Sequence, residues 1–166
     1  MKPDLPDRQW IAEILEEYED PLIRYATWLM RDSDVARDIV QETFLKLCRE
    51  SADVREHVAP WLFTVCRNLA FDTRKRQARM TPLGDKELCV DSNLEQRETV
   101  GEIFRLVQTL PKNQREVVYL KFQCDLSYKE ISAVTGLSVG NVGLLLHTGL
   151  RAIRQRVLSE VARGNG

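Results

Sequence analysis

The residues with most chemical promise lie in "PWLFTVCRNLAFDTRKRQAR", residues 60–79. At helical spacing, one side of that stretch interleaves Phe63, Arg67, Phe71 and Arg74, with Asn68, Asp72 and Lys75 alongside. Aromatic rings give unstacked bases a face to lie on, and cationic side chains neutralise the adjoining phosphates, a combination suited to single-stranded nucleic acid. The same residues have a plainer reading, a helix whose basic end complements its own macrodipole.

A second constellation is "DLSYKEISAVTGLSVGNVGLLLHTGLRAIRQRV", residues 125–157. Ser127 and Glu130 are spaced to satisfy each other's backbone donors at a helix start. Gly136 suits a left-handed turn, Leu137 fills the space between two helices, and Ser138 caps the second. Ile131, Val134, Leu137, Val142, Leu145, Leu146 and Ile153 would form their shared core. The layout is that of a helix-turn-helix, or else of two helices packed together only for stability. Outward from the second helix, at 100° per residue, stand Asn141, Leu144, His147, Thr148 and Arg151. Asn141 matches an adenine edge, Leu144 a thymine methyl, and His147 and Arg151 phosphate. So few cations make a weak reader of duplex DNA, because affinity follows the number of phosphates neutralised.

A third face lies in "DIVQETFLKLCRE", residues 38–50. Ile39, Val40, Thr43, Phe44 and Leu47 fall on the inner side, while Leu45 sits opposite among Asp38, Gln41, Glu42 and Arg49. A lone exposed leucine is ordinary. An apolar centre with a polar, mostly acidic rim is also how a protein-docking spot is built, and such a face repels DNA.

Catalysis finds little support. The chain has two histidines, no H-E-x-x-H, no glycine-rich phosphate loop and no cysteine–histidine cluster. Glu16 and Glu17 are adjacent, so they point to different sides of a helix. The four cysteines (Cys48, Cys66, Cys89 and Cys124) are scattered without a C-x-x-C pair, so reduced, mostly buried thiols are expected rather than disulfides or a zinc site. No metal and no cofactor is implied. No apolar run approaches the roughly 20 residues of a membrane span, and "MKPDLPDRQW" lacks the apolar stretch of a signal peptide, which points to a cytoplasmic protein without membrane insertion.

The net charge of −1 hides a segregation along the chain. Residues 1–59 carry 8 basic and 14 acidic side chains, residues 60–80 carry 5 and 1, residues 81–110 carry 3 and 6, and residues 111–166 carry 8 and 4. Two basic blocks separated by acidic ones can give two phosphate-facing patches, although excesses of this size also occur on solvated helices.

Elements to position these faces are all helical. Trp10, Ile11, Ile14, Leu15 and Tyr18 make one stripe and Leu22, Ile23, Ala26, Leu29 and Met30 a second. A third helix starts near Ser33 or Asp34, either a suitable N-cap, and runs to about Glu50. After the connecting loop "SADVREHV", Pro60 suits the first turn of a fourth helix with its stripe at Leu62, Val65, Cys66 and Leu69. Residues 80–97 lose periodicity and read as a linker. Helices around 98–109 and from Pro111 to about Gln123 precede the two quoted above. The expected architecture is all-α: a helical domain over residues 1–79, a flexible linker over 80–97, and a helix-turn-helix domain over 98–166.

These elements in this order resemble the extracytoplasmic-function (ECF) sigma factors of bacterial RNA polymerase, of the sigma-70 family. The resemblance rests on the acidic helix, "PWLFTVCRNLAFDTRKR", a linker and "LPKNQREVVYLKFQCDLSYKEISAVTGLSVGNV", and it covers about Tyr18 to Arg79 and Thr99 to Val157. It implies a non-enzymatic subunit with two partners, core RNA polymerase and promoter DNA, and leaves open whether an anti-sigma factor covers its faces. Asp38, Gln41, Glu42, Leu45 and Arg49 would dock on the clamp helices of the largest polymerase subunit. Phe63, Thr64, Asn68 and Asp72 would read the minus-10 element as non-template single strand, with Arg67, Phe71, Arg74 and Lys75 beside them. The loop Ser51 to Val58, including His57, would hold one extruded base. Lys129, Ser138, Asn141, Leu144, His147, Thr148 and Arg151 would face the minus-35 element. The chain departs from the family pattern in that Gly143, Leu145, Thr148 and Leu150 stand where many members have arginines. A stand-alone helix-turn-helix regulator of duplex operators is the competing reading. It would need neither the aromatic-basic face nor the acidic one.

Overall fold

The computed structural model describes residues 8–50, 54–80 and 98–164, with residues 98–100 described in backbone only. Among these residues there are seven α-helices, one 3₁₀ turn and no strands, so the all-α class is as the periodicity predicts. The chain divides into two compact units, Met1–Val90 and Asp91–Gly166. The linker expected over residues 80–97 lies outside the described residues, except for Met80, which closes a helix rather than opening a linker.

In the first unit α1 (Arg8–Met30), α2 (Ser33–Glu50) and α3 (Val58–Met80) each pack on the other two. The two expected N-terminal helices are one, running straight through Pro21. Proline removes a backbone donor from the helix ladder. Continuity prevails because Ile14, Leu22, Tyr25, Ala26 and Leu29 fall on a single buried stripe, and burial of an apolar face outweighs local propensity. The corner into α2 is tight: Arg31 adopts a left-handed conformation (φ 56°), and its N–H still donates to the Thr27 carbonyl at 2.7 Å. Asp32, not Ser33 or Asp34, caps α2, its Oδ1 accepting from the N–H groups of Asp34 (2.9 Å) and Val35 (3.1 Å).

Tyr25, Leu22, Leu47, Leu62, Phe63 and Cys66 are fully buried at the centre of this unit. The Tyr25 ring stacks on Trp28 (centroids 6.1 Å apart, 18° between planes) and meets Phe63 at 5.5 Å in a tilted arrangement. Such pairs favour offset or tilted geometry because the ring face is electron-rich and the edge is not.

In the second unit α5 (Lys112–Phe122) and α7 (Val139–Gly164) pack on each other, and each also packs on α4 (Glu98–Gln108) and α6 (Tyr128–Thr135). Five consecutive residues, Glu116 to Leu120, are buried, as a helix enclosed on several sides requires. Gly149 of α7 lets the helices close up: a Cβ there would lie 3.3 Å from Val118 Cγ2 and 3.6 Å from Leu110 Cδ1. No single helix among the described residues is long and apolar enough to cross a membrane.

Candidate nucleic-acid and protein interfaces

On α3 the buried residues are Ala59, Leu62, Phe63, Cys66 and Ala70. This corrects the reading of Phe63 as an outward base platform, since its side chain is wholly enclosed against Tyr25. The stripe is rotated from the expected one because Ala59 and Ala70, too small to stand out in the sequence, turn the buried face toward position 63. Val65 and Leu69, expected inside, are only half-buried. The other residues named for that face keep open surface to differing degrees. Asn68, Asp72, Arg74 and Lys75 are exposed, Phe71, Arg67 and Thr64 half-buried, and His57 is exposed in the turn before the helix. Arg67 lays its guanidinium 4.4 Å from the Phe71 ring centroid, so the aromatic and the cation form one stacked unit instead of two separate contacts. Thr64 donates its hydroxyl hydrogen to the Pro60 carbonyl at 2.6 Å.

The loop before α3 is built differently from its sequence reading. Residues 51–53 lie outside the described residues. Residues Arg55–His57 form a 3₁₀ turn, closed by a bond from the His57 N–H to the Val54 carbonyl at 3.0 Å. Val54 is buried, and the Arg55 guanidinium sits 4.9 Å from the centroid of the Trp10 ring on α1. The sequence puts Trp10 on a helical stripe and Arg55 in the loop but hides their contact, because 45 positions separate them.

On α2 Ala36, Ile39, Val40, Thr43, Phe44 and Leu47 are buried. Asp38, Gln41 and Arg49 are exposed, Glu42 is half-buried, and Leu45 keeps 45% of its surface open among them. The five predicted docking residues therefore share one outward side. Of the cysteines, Cys66 is buried, Cys124 half-buried and Cys48 exposed, so the expectation of mostly buried thiols fails at Cys48; Cys89 lies outside the described residues. Among the described residues no group of three His, Cys, Asp or Glu side chains is placed to hold a metal ion.

In the second unit the capping box is present in both halves. The Glu130 N–H donates to Ser127 Oγ (3.1 Å), and the Ser127 N–H donates to Glu130 Oε2 (2.7 Å). Gly136 takes the left-handed conformation (φ 76°) that ends α6, and Ser138 Oγ accepts from the Asn141 N–H at 3.1 Å to start α7. The two helices meet at 105°, within the range of a helix-turn-helix. Lys129, Ser138, Asn141, Leu144, His147 and Arg151 are exposed, with Leu144 at 58%. Thr148 leaves the row. Its hydroxyl accepts from Gln114 Nε2 of α5 at 2.8 Å and donates to the Leu144 carbonyl at 2.9 Å, so its one donor hydrogen is used inside the unit.

The positions where the resemblance would put arginines are equally informative. A Cβ at Gly143 would touch the Tyr128 ring at 3.5 Å, Leu145 is half-buried, and Leu150 is exposed but apolar. Lys121 stands 5.6 Å from the centroid of that same Tyr128 ring. An aromatic ring and a neighbouring lysine thus border the patch where the resemblance would put guanidinium groups.

Comparison with known proteins follows the same division. The family model for Sigma-70 region 2 matches residues 14–80, and the model for Sigma-70, region 4 matches residues 101–153. ECF RNA polymerase sigma factor SigM of Bacillus subtilis is 30% identical over 93% of this chain and 96% of its own length. SigX of the same organism is 25% identical over 87% of this chain and 81% of its own. Among solved structures, the sigma factor RpoE of Bartonella quintana, in complex with the anti-sigma factor NepR, shares the fold at a TM-score of 0.70. That match has 19% identity and covers 90% of this chain and 96% of that one. With a relative this similar along nearly its whole length, the chain belongs to the extracytoplasmic-function sigma factors of the sigma-70 family.

Proposed function

We propose that this chain confers promoter choice on core RNA polymerase and opens the DNA there, each unit taking one promoter element. The observation that carries the reading is the pairing of two unlike faces in the first unit. The side of α2 around Leu45 is acidic with an apolar centre, whereas the outward side of α3 is basic and aromatic. A duplex-operator regulator has use for neither, so the competing reading is not favoured.

In this account Asp38, Gln41, Glu42, Leu45 and Arg49 dock on the clamp helices of the largest polymerase subunit. Asn68, Asp72, Thr64 and the Arg67–Phe71 stack hold the unpaired minus-10 strand, Arg74 and Lys75 meet its phosphates, and the turn containing His57 receives an extruded base. Extrusion costs a few kcal/mol, which stacking and cationic contacts offset. Phe63 belongs to the scaffold under that face. Lys129, Ser138, Asn141, Leu144, His147 and Arg151 meet the minus-35 duplex, and polymerase compensates for their weak electrostatics by holding the second unit at high effective concentration over its site.

The protein acts by binding alone, not as an enzyme, and works in the cytoplasm where its polymerase is. An anti-sigma partner fits the solved relative's own complex. The test is transcription in vitro with core polymerase and genome-wide mapping of the start sites. Initiation at a shared pair of promoter elements supports the reading; a folded protein that shifts duplex DNA alone and never co-purifies with polymerase overturns it.

A further inference from the structure

The contact between Trp10 and Arg55 joins two segments that the proposed recognition chemistry does not otherwise connect. Arg55 opens the 3₁₀ turn that leads into α3, and Trp10 lies in the first turns of α1. A single 3₁₀ turn has poor hydrogen-bond geometry and little stability of its own. Here it carries a backbone bond from the His57 N–H to the Val54 carbonyl at 3.0 Å and is anchored on one flank by the buried Val54 side chain. On the other flank the Arg55 guanidinium lies over the Trp10 ring, 4.9 Å from its centroid. Trp10 is half-buried and so held in place, while Arg55 is exposed.

We infer that Trp10 and Arg55 are a positioning pair: the indole holds the turn at residues 54–57 in the shape that receives the extruded minus-10 base. The inference rests on the reading of α3 and its preceding turn as the minus-10 face. A turn fixed before the strand arrives does not have to be ordered at the moment of capture, and that saving appears as affinity. Neither residue need touch the base.

The test uses full-length protein reconstituted with core polymerase. Its probe is a single-stranded non-template oligonucleotide carrying the minus-10 element found by start-site mapping, with a series of the same strand made abasic at one position each. Trp10→Leu removes the ring and keeps apolar bulk; Arg55→Gln removes the cation and leaves the core of the unit untouched. Each is expected to weaken holoenzyme binding to the strand by about three- to tenfold, the range a cation–π contact supports. The double variant should be no weaker than either single one, because both break the same contact. Trp10→Phe and Arg55→Lys should recover most of the loss. Affinity for core polymerase should stay unchanged, and the difference from wild type should vanish on the strand lacking the captured base.

Losses that add in the double variant, or that persist on every abasic strand, overturn the pair and make Arg55 a direct phosphate contact. An equal loss of polymerase affinity assigns Trp10 and Arg55 to the scaffold alone. Variants equal to wild type, on a strand the wild type does select, also overturn it. A wild-type holoenzyme that binds the strand no better than a scrambled one overturns the parent reading instead.

Discussion

Helices α3 and α7 are nearly equal in length, 23 and 26 residues, yet they present opposite surfaces. The exposed side of α3 carries Arg74 and Lys75 with the Arg67–Phe71 stack, and its last turn adds exposed Arg76 and Arg79. The outward row of α7 offers Asn141, Leu144 and His147, with its first cation at Arg151. The contrast follows from what each is proposed to hold. A single strand prised from its complement must be kept by the helix itself, through stacking and phosphate neutralisation. A duplex needs only to be read, and a reader held in place by a larger assembly can do without most of its own electrostatic grip.

Several changes would break or sharpen that contrast. The largest effect is expected at the face common to both jobs: Asp38→Lys with Glu42→Lys and Leu45→Ala should abolish association with core polymerase, measured by co-purification, while the helical circular dichroism stays intact. Normal association would remove α2 as the docking surface. Next comes the division within α3. Phe63→Ala should cost about 3–5 kcal/mol of stability in urea unfolding, because it empties a fully packed site against Tyr25. Asn68→Ala should leave stability within about 0.5 kcal/mol and impair open-complex formation. If the two variants behaved alike, the boundary between scaffold and reading face would be wrong.

The charge contrast itself is measured by salt. Replacing Arg74 and Lys75 by alanine should lower the slope of log affinity against log salt for the minus-10 single strand by about 0.7 for each phosphate left without its cation. On a minus-35 duplex, Arg151→Ala should lower the slope by about 0.9, whereas Leu144→Ala should weaken binding at constant slope. A wild-type duplex slope as steep as that of an arginine-rich reader would erase the distinction. Smallest is Ser127→Ala, which removes the hydroxyl half of the capping box and should cost about 1 kcal/mol in thermal unfolding.

What the sequence revealed and what it hid divide along physical lines. The caps and turn of the helix-turn-helix were legible to the residue, because Ser127, Glu130, Gly136 and Ser138 are local signals whose partners lie within four positions. The acidic side of α2 was legible too, its buried residues being mostly large and evenly spaced. Phe63 was misplaced because two alanines fixed the phase of α3, and alanine gives a hydrophobic pattern little weight. The two N-terminal stripes read as separate helices, and packing along one buried face joined them into α1. Thr148 and Arg55 were hidden for a different reason: their partners, Gln114 and Trp10, are 34 and 45 positions away, and nothing in a local pattern encodes such a meeting.

Cys48 gives the molecule a ready attachment point. It is the exposed thiol among the described cysteines, three residues from Leu45 and seven from Gln41, so it lies at the edge of the acidic side of α2. Thiolate-selective reagents react where sulfur is accessible, and enclosed Cys66 is shielded from them. A maleimide dye coupled there would sit at the rim of the proposed polymerase contact, where its emission reports each arrival and departure of the larger partner in real time.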